Sequence, residues 1–563
     1  MLPGCLEIAC RSINLGRGIN TAGTSYQVTY HILVFAIASH PQYDSHPVKT
    51  CCIPTWRLMG SSSSGYEDCT STGREVSQPV YMFVLATSAH DITTYILSLS
   101  ALFAYHTEIS KANDYLNAQP AMYSKRIRVA KASTNEADGP SSTDQIVEII
   151  CHFEVCFKLW MNAELRQGSV IQVDGGPVGA PSLVIEDLFN GGMALDYKGT
   201  HGIPVVGWWI TPASSLMSLT GHEETRSKTV YDSLLQLDPR KETDFFNVTD
   251  RLIIIPGLPA IHEWELSPQP VPFIPPYMAY QIPRVLNMLN HIDQVAFCTT
   301  FEIEPISATS ITTAFKRPII PFFIGPAVDT VSPRKLDPEL AVTQFLDRAY
   351  VQGGAHSVIY VAFGTAVFPL PSTRSHLMAV LDEIPKAGFK FVFTLSSESA
   401  GVDQAWMDAH IEAGNAVFPS WVNQTAVLEH PAIHYFLSHG GWNSSTEALV
   451  RGVPFIFWPF MANQPTNAIQ IANVHDCGFE LLQIRTGPAQ STAYRNSAEV
   501  KIIGTVDAAR KEMKHILELS KGPRGEHQRA NVRMLGKVVA DSLGRGGSGD
   551  VGLENLGKAL SLV

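Results

Sequence analysis

The sequence predicts an α/β protein made of two Rossmann-like, doubly wound domains facing each other across a cleft. Three observations carry that prediction. The chain has 563 residues, too many for one growing core and enough for two domains that each support a helix-covered sheet. Short runs rich in Val, Ile and Phe recur along both halves without strict alternation, the pattern of strands covered on both faces. Between them, apolar residues return at helical spacing.

In the first half the runs are VTYHILVFAIA (28–38), VYMFVLATS (80–88), SLVIED (182–187), IPVVGWW (203–209) and LIIIPGL (252–258). Ile146, Ile149, Ile150, Phe153, Phe157 and Trp160 form one amphipathic stripe between two of them, which implies a βα layer. The second half is more regular. Its runs are DQVAFCT (293–299), IIPFFIG (319–325), SVIYVAFG (357–364), FKFVFTL (389–395), AIHYFLS (432–438) and PFIFWP (454–459). Leu377, Val380, Leu381 and Ile384 mark a helix between two of these.

The expected organisation is an N-terminal extension (1–27) and a first domain (28–258) with an atypical insertion at about 41–79. A stiff proline-rich linker (259–290), a second domain (291–485), and C-terminal helices with a flexible, glycine-rich tail (486–563) follow.

A formal net charge of −11 with no long Lys/Arg block disfavours nucleic-acid partners. Nine cysteines without a CxxC spacing argue against a disulfide framework or zinc finger and fit a reducing compartment. The first residues, MLPGCLEIACRSINLGRG, lack the apolar core of a secretion signal, and no later run is long enough to cross a bilayer. The expectation is a cytoplasmic monomer without a membrane span. Sequon-like triplets at Asn247, Asn423 and Asn443 then have no bearing on glycosylation.

The most informative stretch is FLSHGGWNSSTEALVRGVPFIFWPF (436–460). With AIHYFLS on a strand and NSSTEALV on the next helix, His439, Gly440 and Gly441 fall at the carboxyl edge of the sheet, where open α/β folds hold ligands. Glycines there admit a ligand close to the backbone, and first-turn amides around Asn443 and Ser444 can receive phosphate oxygens. His439 supplies a donor without requiring a full positive charge. The ordinary alternative is a tight HGG turn, a capping Ser444 and a favourably placed Glu447. Those features alone leave the two readings level.

Over 418–468, FPSWVNQTAVLEHPAIHYFLSHGGWNSSTEALVRGVPFIFWPFMANQPTNA, the chain resembles the nucleotide-sugar box of the family 1 UDP-dependent glycosyltransferases, whose fold is GT-B. The resemblance implies that Trp421, with Val422 beside it, stacks on uracil and that Gln424 bonds near uracil and ribose. It implies that Glu447 accepts the ribose hydroxyls and that His439, Gly441, Asn443 and Ser444 hold the diphosphate, with Trp442 lining the sugar pocket. Gly364 and Thr365 resemble the family's loop over the phosphates. The family binds its donor without an essential metal, so no metal and no tightly bound cofactor are expected, only a UDP-sugar, with UDP-glucose the first candidate. The family usually places Asp or Glu immediately before Gln464; here Asn463 stands there, which keeps donors and acceptors but loses the charge. Trp421 and Trp442 as core aromatics, and Gly364 as a strand terminator, are the bland competitors.

The resembling enzymes use a His after the first strand, oriented by an Asp, as the base for direct inverting displacement. Asp187, at the end of PSLVIED, fits the orienting acid, with helix capping as the competing role. His40 has the strand-end location for the base, and His46 precedes a proline several residues on; neither reproduces the family pattern. Residues 41–79 show no helical stripe able to supply the first crossover helix. They are either a divergent loop or a stretch from wrongly assigned coding sequence, and the second explanation implies binding without transfer. Trp264, Phe273 and Tyr277 near the proline-rich bridge are candidates either for the acceptor surface or for domain packing.

The leading reading is thus an inverting O-glycosyltransferase acting on a small lipophilic hydroxyl-bearing acceptor. The alternatives are a noncatalytic UDP-sugar-binding homologue and a sugar-nucleotide epimerase.

Overall fold

A computed structural model describes residues 181–222, 224–225, 250–269, 274–328, 340–364, 369, 373–396 and 401–560. It also describes isolated strand residues at 6–19, 25–37, 81–87, 92–98, 127–131, 172–173 and 176–177, and helical residues within 154–166. Two sheets organise it.

The first sheet has seven strands in the order β13 (Ile320–Phe323), β12 (Gln294–Phe297), β9 (Val205–Trp209), β8 (Pro181–Asp187), β3 (Tyr81–Thr87), β4 (Ile92–Ser98) and β5 (Ile127–Lys131). From β8 through β13 the pairing is parallel, but β3 runs antiparallel to both β8 and β4. β1 (Leu6–Ile19) and β2 (Ser25–Ile37) form a separate antiparallel hairpin. The run at 28–38 is therefore a strand, as its Val/Ile content requires, but it pairs locally instead of entering the sheet beside β8.

The second sheet has six parallel strands in the order β16 (Ala416–Val417), β15 (Lys390–Thr394), β14 (Val358–Ala362), β17 (Ile433–Ser438), β18 (Phe455–Phe457) and β19 (Gly478–Glu480). In chain order this is 3-2-1-4-5-6, so the winding reverses between β14 and β17. Every residue of both strands is buried, which explains their unbroken apolar runs.

Three expected boundaries are corrected. The runs at 293–299 and 319–325 belong to the first sheet, where β12 pairs with β9, and not to the second domain. The chain crosses between domains only after β13.

The proline-rich linker also differs. Ile274–His291 is an 18-residue helix with Pro283 inside it. Pro275 and Pro276 fall in its first turn, where no amide bond is lost, while Ile282, Val285, Met288 and Leu289 repeat at helical spacing and are buried. Hydrophobic periodicity here outweighs proline content.

The glycine-rich end is not a flexible tail through Ala559. Ser548–Ala559 is a helix that returns to the first domain. A Cβ at Gly549 would sit 3.1 Å from the Ile324 carbonyl oxygen, one at Gly552 would overlap that of Phe323, and Ser548 donates to Glu302. The glycines serve close backbone approach at the edge of the first sheet.

A buried polar knot joins the segment around Glu265 to the second domain. Glu265 lies in the short helix Glu263–Leu266, and its Oε2 accepts from Arg485 (2.9 Å) and Arg495 (2.6 Å). Its Oε1 accepts the amides of His262 (3.0 Å) and Tyr494 (2.8 Å). Glu480 completes the ring with both arginines at 2.8 Å. Trp264 donates from Nε1 to the Thr492 carbonyl at 2.7 Å and stacks on His262. Of its two expected roles, Trp264 takes domain packing. Phe273 lies outside the described residues.

Candidate active site

The reversal of winding between β14 and β17 leaves a crevice at their carboxyl ends, and Gly364 and His439 follow those two strands. The imidazole of His439 is wedged between glycines. A Cβ at Gly364 would lie 2.9 Å from Nε2, and one at Gly441 would overlap the same atom. Gly364 (φ 72°) and Gly440 (φ 84°) adopt the left-handed conformation that a side chain would strain. These glycines are there for shape, and the shape encloses the ring.

Burial pushes His439 down to about 4, the Ala362 carbonyl offsetting part of that drop. The ring is neutral at physiological pH, and its Nδ1 has no hydrogen-bond partner among the described residues. The helix Trp442–Val450 starts at Gly441, which has no side chain to cap the first turn. Its N-terminal amides and dipole, beside a neutral imidazole, suit a diphosphate without any formal cation.

Gln424 and Glu447 meet across two helices. Nε2 of Gln424 donates to Oε2 of Glu447 at 2.8 Å, and its Oε1 accepts from the Tyr360 hydroxyl at 3.3 Å. Trp421 precedes them and is half-exposed, an open aromatic face of the kind a planar base stacks on. Gln464 closes the far side. Its Oε1 takes the amides of Phe460 (2.9 Å) and Met461 (3.3 Å), and Asn467 holds the Gly440 carbonyl at 2.9 Å. Ala462, with φ 55°, turns the loop ahead of half-buried Asn463 in a conformation costing a non-glycine residue about 1 kcal/mol.

The structure thus brings His439, Gly441 and Gly364 together at one end, and Gln424 with Glu447 at the other. Asn443 and Ser444 are half-buried in the first helical turn. Val422 packs into the core cluster of the second domain, which leaves its backbone as the part available to a ligand. Trp442 is 1% exposed and donates from Nε1 to the Cys298 carbonyl at 2.6 Å. Its indole belongs to the contact between domains and not to an open pocket wall. Thr365, His40 and His46 lie outside the described residues.

Asp187 ends β8 in the first domain. One carboxylate oxygen caps the turn by accepting from the Phe189 amide at 2.8 Å, while Oδ2 is buried with no hydrogen-bond partner among the described residues. Burial holds its carboxyl well above the ordinary range, against the Phe189 amide, and the neighbouring Glu186 adds to the rise. Capping and an unmet acceptor therefore coexist in this one side chain. Glu186 accepts the amides of Gly192, Met193 and Ala194, yet burial still pushes it up to about 7.

Sequence reasoning passed over Tyr360 and Thr394, which reach Gln424 from beneath the site. The available signal was a Tyr inside an otherwise apolar buried strand, since a buried phenol needs a partner for its hydroxyl.

The neutral state of His439 makes a measurable difference. Substituting His439→Gln should raise the Kd for UDP by the same factor at pH 6.5 and pH 8.0, because the ring does not titrate in that range. Calorimetric titration at both pH values checks this. A factor that shrinks as pH rises would mean that a charged imidazole does the binding.

Fold and site together define a class: a two-domain GT-B protein whose second domain carries a crevice where the strand winding reverses. The profile of the family described as UDP-glucoronosyl and UDP-glucosyl transferase matches residues 307–486. The UDP-glycosyltransferase eriJ of Hericium erinaceus is 28% identical over 299 residues, covering 51% of this chain and 57% of that one. UDP-glycosyltransferase 74C1 of Arabidopsis thaliana is 30% identical over 217 residues, covering 38% of this chain and 42% of that one. The chain spans about half the length of these curated relatives. The solved structure of Phytolacca americana UGT2, complexed with UDP-2fluoro-glucose and pterostilbene, superposes with a TM-score of 0.58 at 18% identity, over 83% of this chain and 92% of that one. Residues 307–486 thus match the UDP-glucoronosyl and UDP-glucosyl transferase family, and the fold is the one shared with solved UDP-glycosyltransferase structures. No helix among the described residues is long and apolar enough to cross a membrane.

Proposed function

We propose that the protein is an inverting O-glycosyltransferase that moves a hexose, with glucose the first candidate, from a UDP-sugar to a hydroxyl of a small lipophilic acceptor. The observation that carries this reading is the neutral His439 ring held between Gly364 and Gly441 at the first turn of Trp442–Val450, with the Gln424–Glu447 pair beyond it. In this reading uracil lies on Trp421, the ribose diol on Glu447, and the diphosphate on His439 and the amides of Asn443 and Ser444. The sugar is directed toward Asn463 and Gln464. The acceptor oxygen attacks the anomeric carbon as its bond to the β-phosphate oxygen breaks. The acceptor's proton passes to a histidine base, and UDP leaves with the electron pair, stabilised by the helix N-terminus.

Asp187 is the orienting acid of this scheme. Its unmet Oδ2 is the acceptor that an imidazole N–H would fill, and His40 is the proposed base. Transfer would then be metal-free, by a cytoplasmic monomer.

A second reading is UDP-sugar binding without transfer. One observation favours it: β2 pairs with β1, and the place beside β8 is taken by antiparallel β3. The strand preceding His40 is thereby outside the sheet that carries Asp187. Incubation with UDP-glucose and a panel of phenolic and terpenoid alcohols, followed for UDP release and for products heavier by one hexose, separates the readings. Acceptor-dependent release supports transfer. UDP binding without release supports the second reading, and no UDP binding rejects both.

A further inference from the structure

A directed chain of hydrogen bonds runs beneath the crevice and ends on the carboxylate placed at the ribose. The Thr394 hydroxyl on β15 donates to the Tyr360 oxygen on β14 at 3.3 Å. Tyr360 donates to Oε1 of Gln424 at 3.3 Å, and Nε2 of Gln424 donates to Oε2 of Glu447 at 2.8 Å. Each group uses its donor toward Glu447, so the order of the chain fixes the orientation of the Gln424 amide. Reversed, that amide would set its carbonyl oxygen against a carboxylate and its NH2 against a hydroxyl that already receives one donor.

Thr394 and Tyr360 are 6% and 1% exposed, so neither meets a ligand itself. Their hydroxyls lie inside an apolar sheet, where an unsatisfied one costs about 1–3 kcal/mol, and the chain satisfies both. Packing alone would not require them. The Tyr360 ring stacks on Phe436, a contact that phenylalanine makes equally well.

We infer that Tyr360 is a positioning residue for ribose recognition: its hydroxyl sets the Gln424 amide, which holds Glu447 in the orientation that receives the sugar diol. This rests on the reading of the crevice as a UDP site. The carboxylate meets the diol; Tyr360 and Thr394 are buried away from it and act through Gln424 and Glu447. The consequence is discrimination between ribonucleotides and deoxyribonucleotides, because a carboxylate held in one orientation gains most from a diol and loses most when one hydroxyl is missing.

The test compares Kd values for UDP and 2′-deoxy-UDP by calorimetry in the full chain, with Tyr360→Phe, Thr394→Val and Glu447→Gln. Tyr360→Phe is expected to weaken UDP about tenfold while changing 2′-deoxy-UDP less than about twofold, so that the ratio of the two falls. Thr394→Val should move the ratio in the same direction by less, and it serves if the tyrosine variant folds poorly. In a Glu447→Gln background, Tyr360→Phe should leave the ratio where Glu447→Gln put it. Equal weakening of both nucleotides would assign Tyr360 a purely structural role and overturn the inference while leaving the UDP site standing. Wild-type protein that binds neither nucleotide would overturn both.

Discussion

Gly441→Ala is expected to lower UDP affinity by about a hundredfold or more, equivalent to roughly 2.7 kcal/mol, with little change in melting temperature. The backbone at Gly441 has φ −60°, which alanine adopts freely, so the effect is not one of strain. It is one of space. The new methyl would overlap Nε2 of His439, and the backbone of Gly364 lies near the same edge of the ring, which limits where the imidazole can move. The flanking backbone is equally confined: Asn467 holds the Gly440 carbonyl, and a Cβ at Gly440 would stand 3.1 Å from the Gln464 carbonyl oxygen. With the diphosphate at the first turn of Trp442–Val450, as proposed, the displaced imidazole and the added methyl would crowd it. Calorimetry with UDP and a thermal melt on the same sample decide the matter. Unchanged affinity would show that the nucleotide does not use this crevice.

The largest loss of stability is expected from Glu265→Ala. Four ionised groups are nearly solvent-free in this knot, with Arg485 at 1%, Glu265 at 0%, Arg495 at 6% and Glu480 at 5% side-chain exposure. Glu480 is held below its ordinary range: burial alone would raise it, but the charges of Arg495 and Arg485 win. Removing Glu265 leaves two guanidinium groups to share one carboxylate and strips an acceptor from the amides of His262 and Tyr494. Breaking a buried pair in this way costs about 3–5 kcal/mol, or roughly 10 °C in melting temperature for a domain of this size. A shift smaller than about 2 °C by calorimetric melting would mean that water enters the knot and screens it. UDP affinity should survive in whatever fraction remains folded, since none of the four groups belongs to the crevice.

Much of the second domain was legible because its strands are buried on both faces. SVIYVAFG and AIHYFLS read as strands from composition alone, and the HGG turn then had to lie at their carboxyl edge. What composition could not supply was sheet membership. DQVAFCT and IIPFFIG look the same in either domain, and only hydrogen bonding to Val205–Trp209 assigns them to the first. IPPYMAYQIPRVLNMLNH misled through its prolines, although its helical spacing was present, and GRGGSGD misled because glycine for close packing and glycine for freedom read alike. At the site, the resemblance over 418–468 pointed to Gln424 and Glu447 but not to their hydrogen bond, nor to Tyr360 beneath them. The Glu265 knot joins groups more than two hundred positions apart and leaves no local trace in the sequence.

The return of Ser548–Ala559 to the edge of the first sheet bears on how the molecule is made. On the ribosome, the first sheet's outer strand at Ile320–Phe323 emerges long before the helix that packs over it, and the whole second domain is synthesised in between. The amino-terminal half must wait with that margin uncovered, so its completion is set by translation of a segment more than two hundred codons downstream.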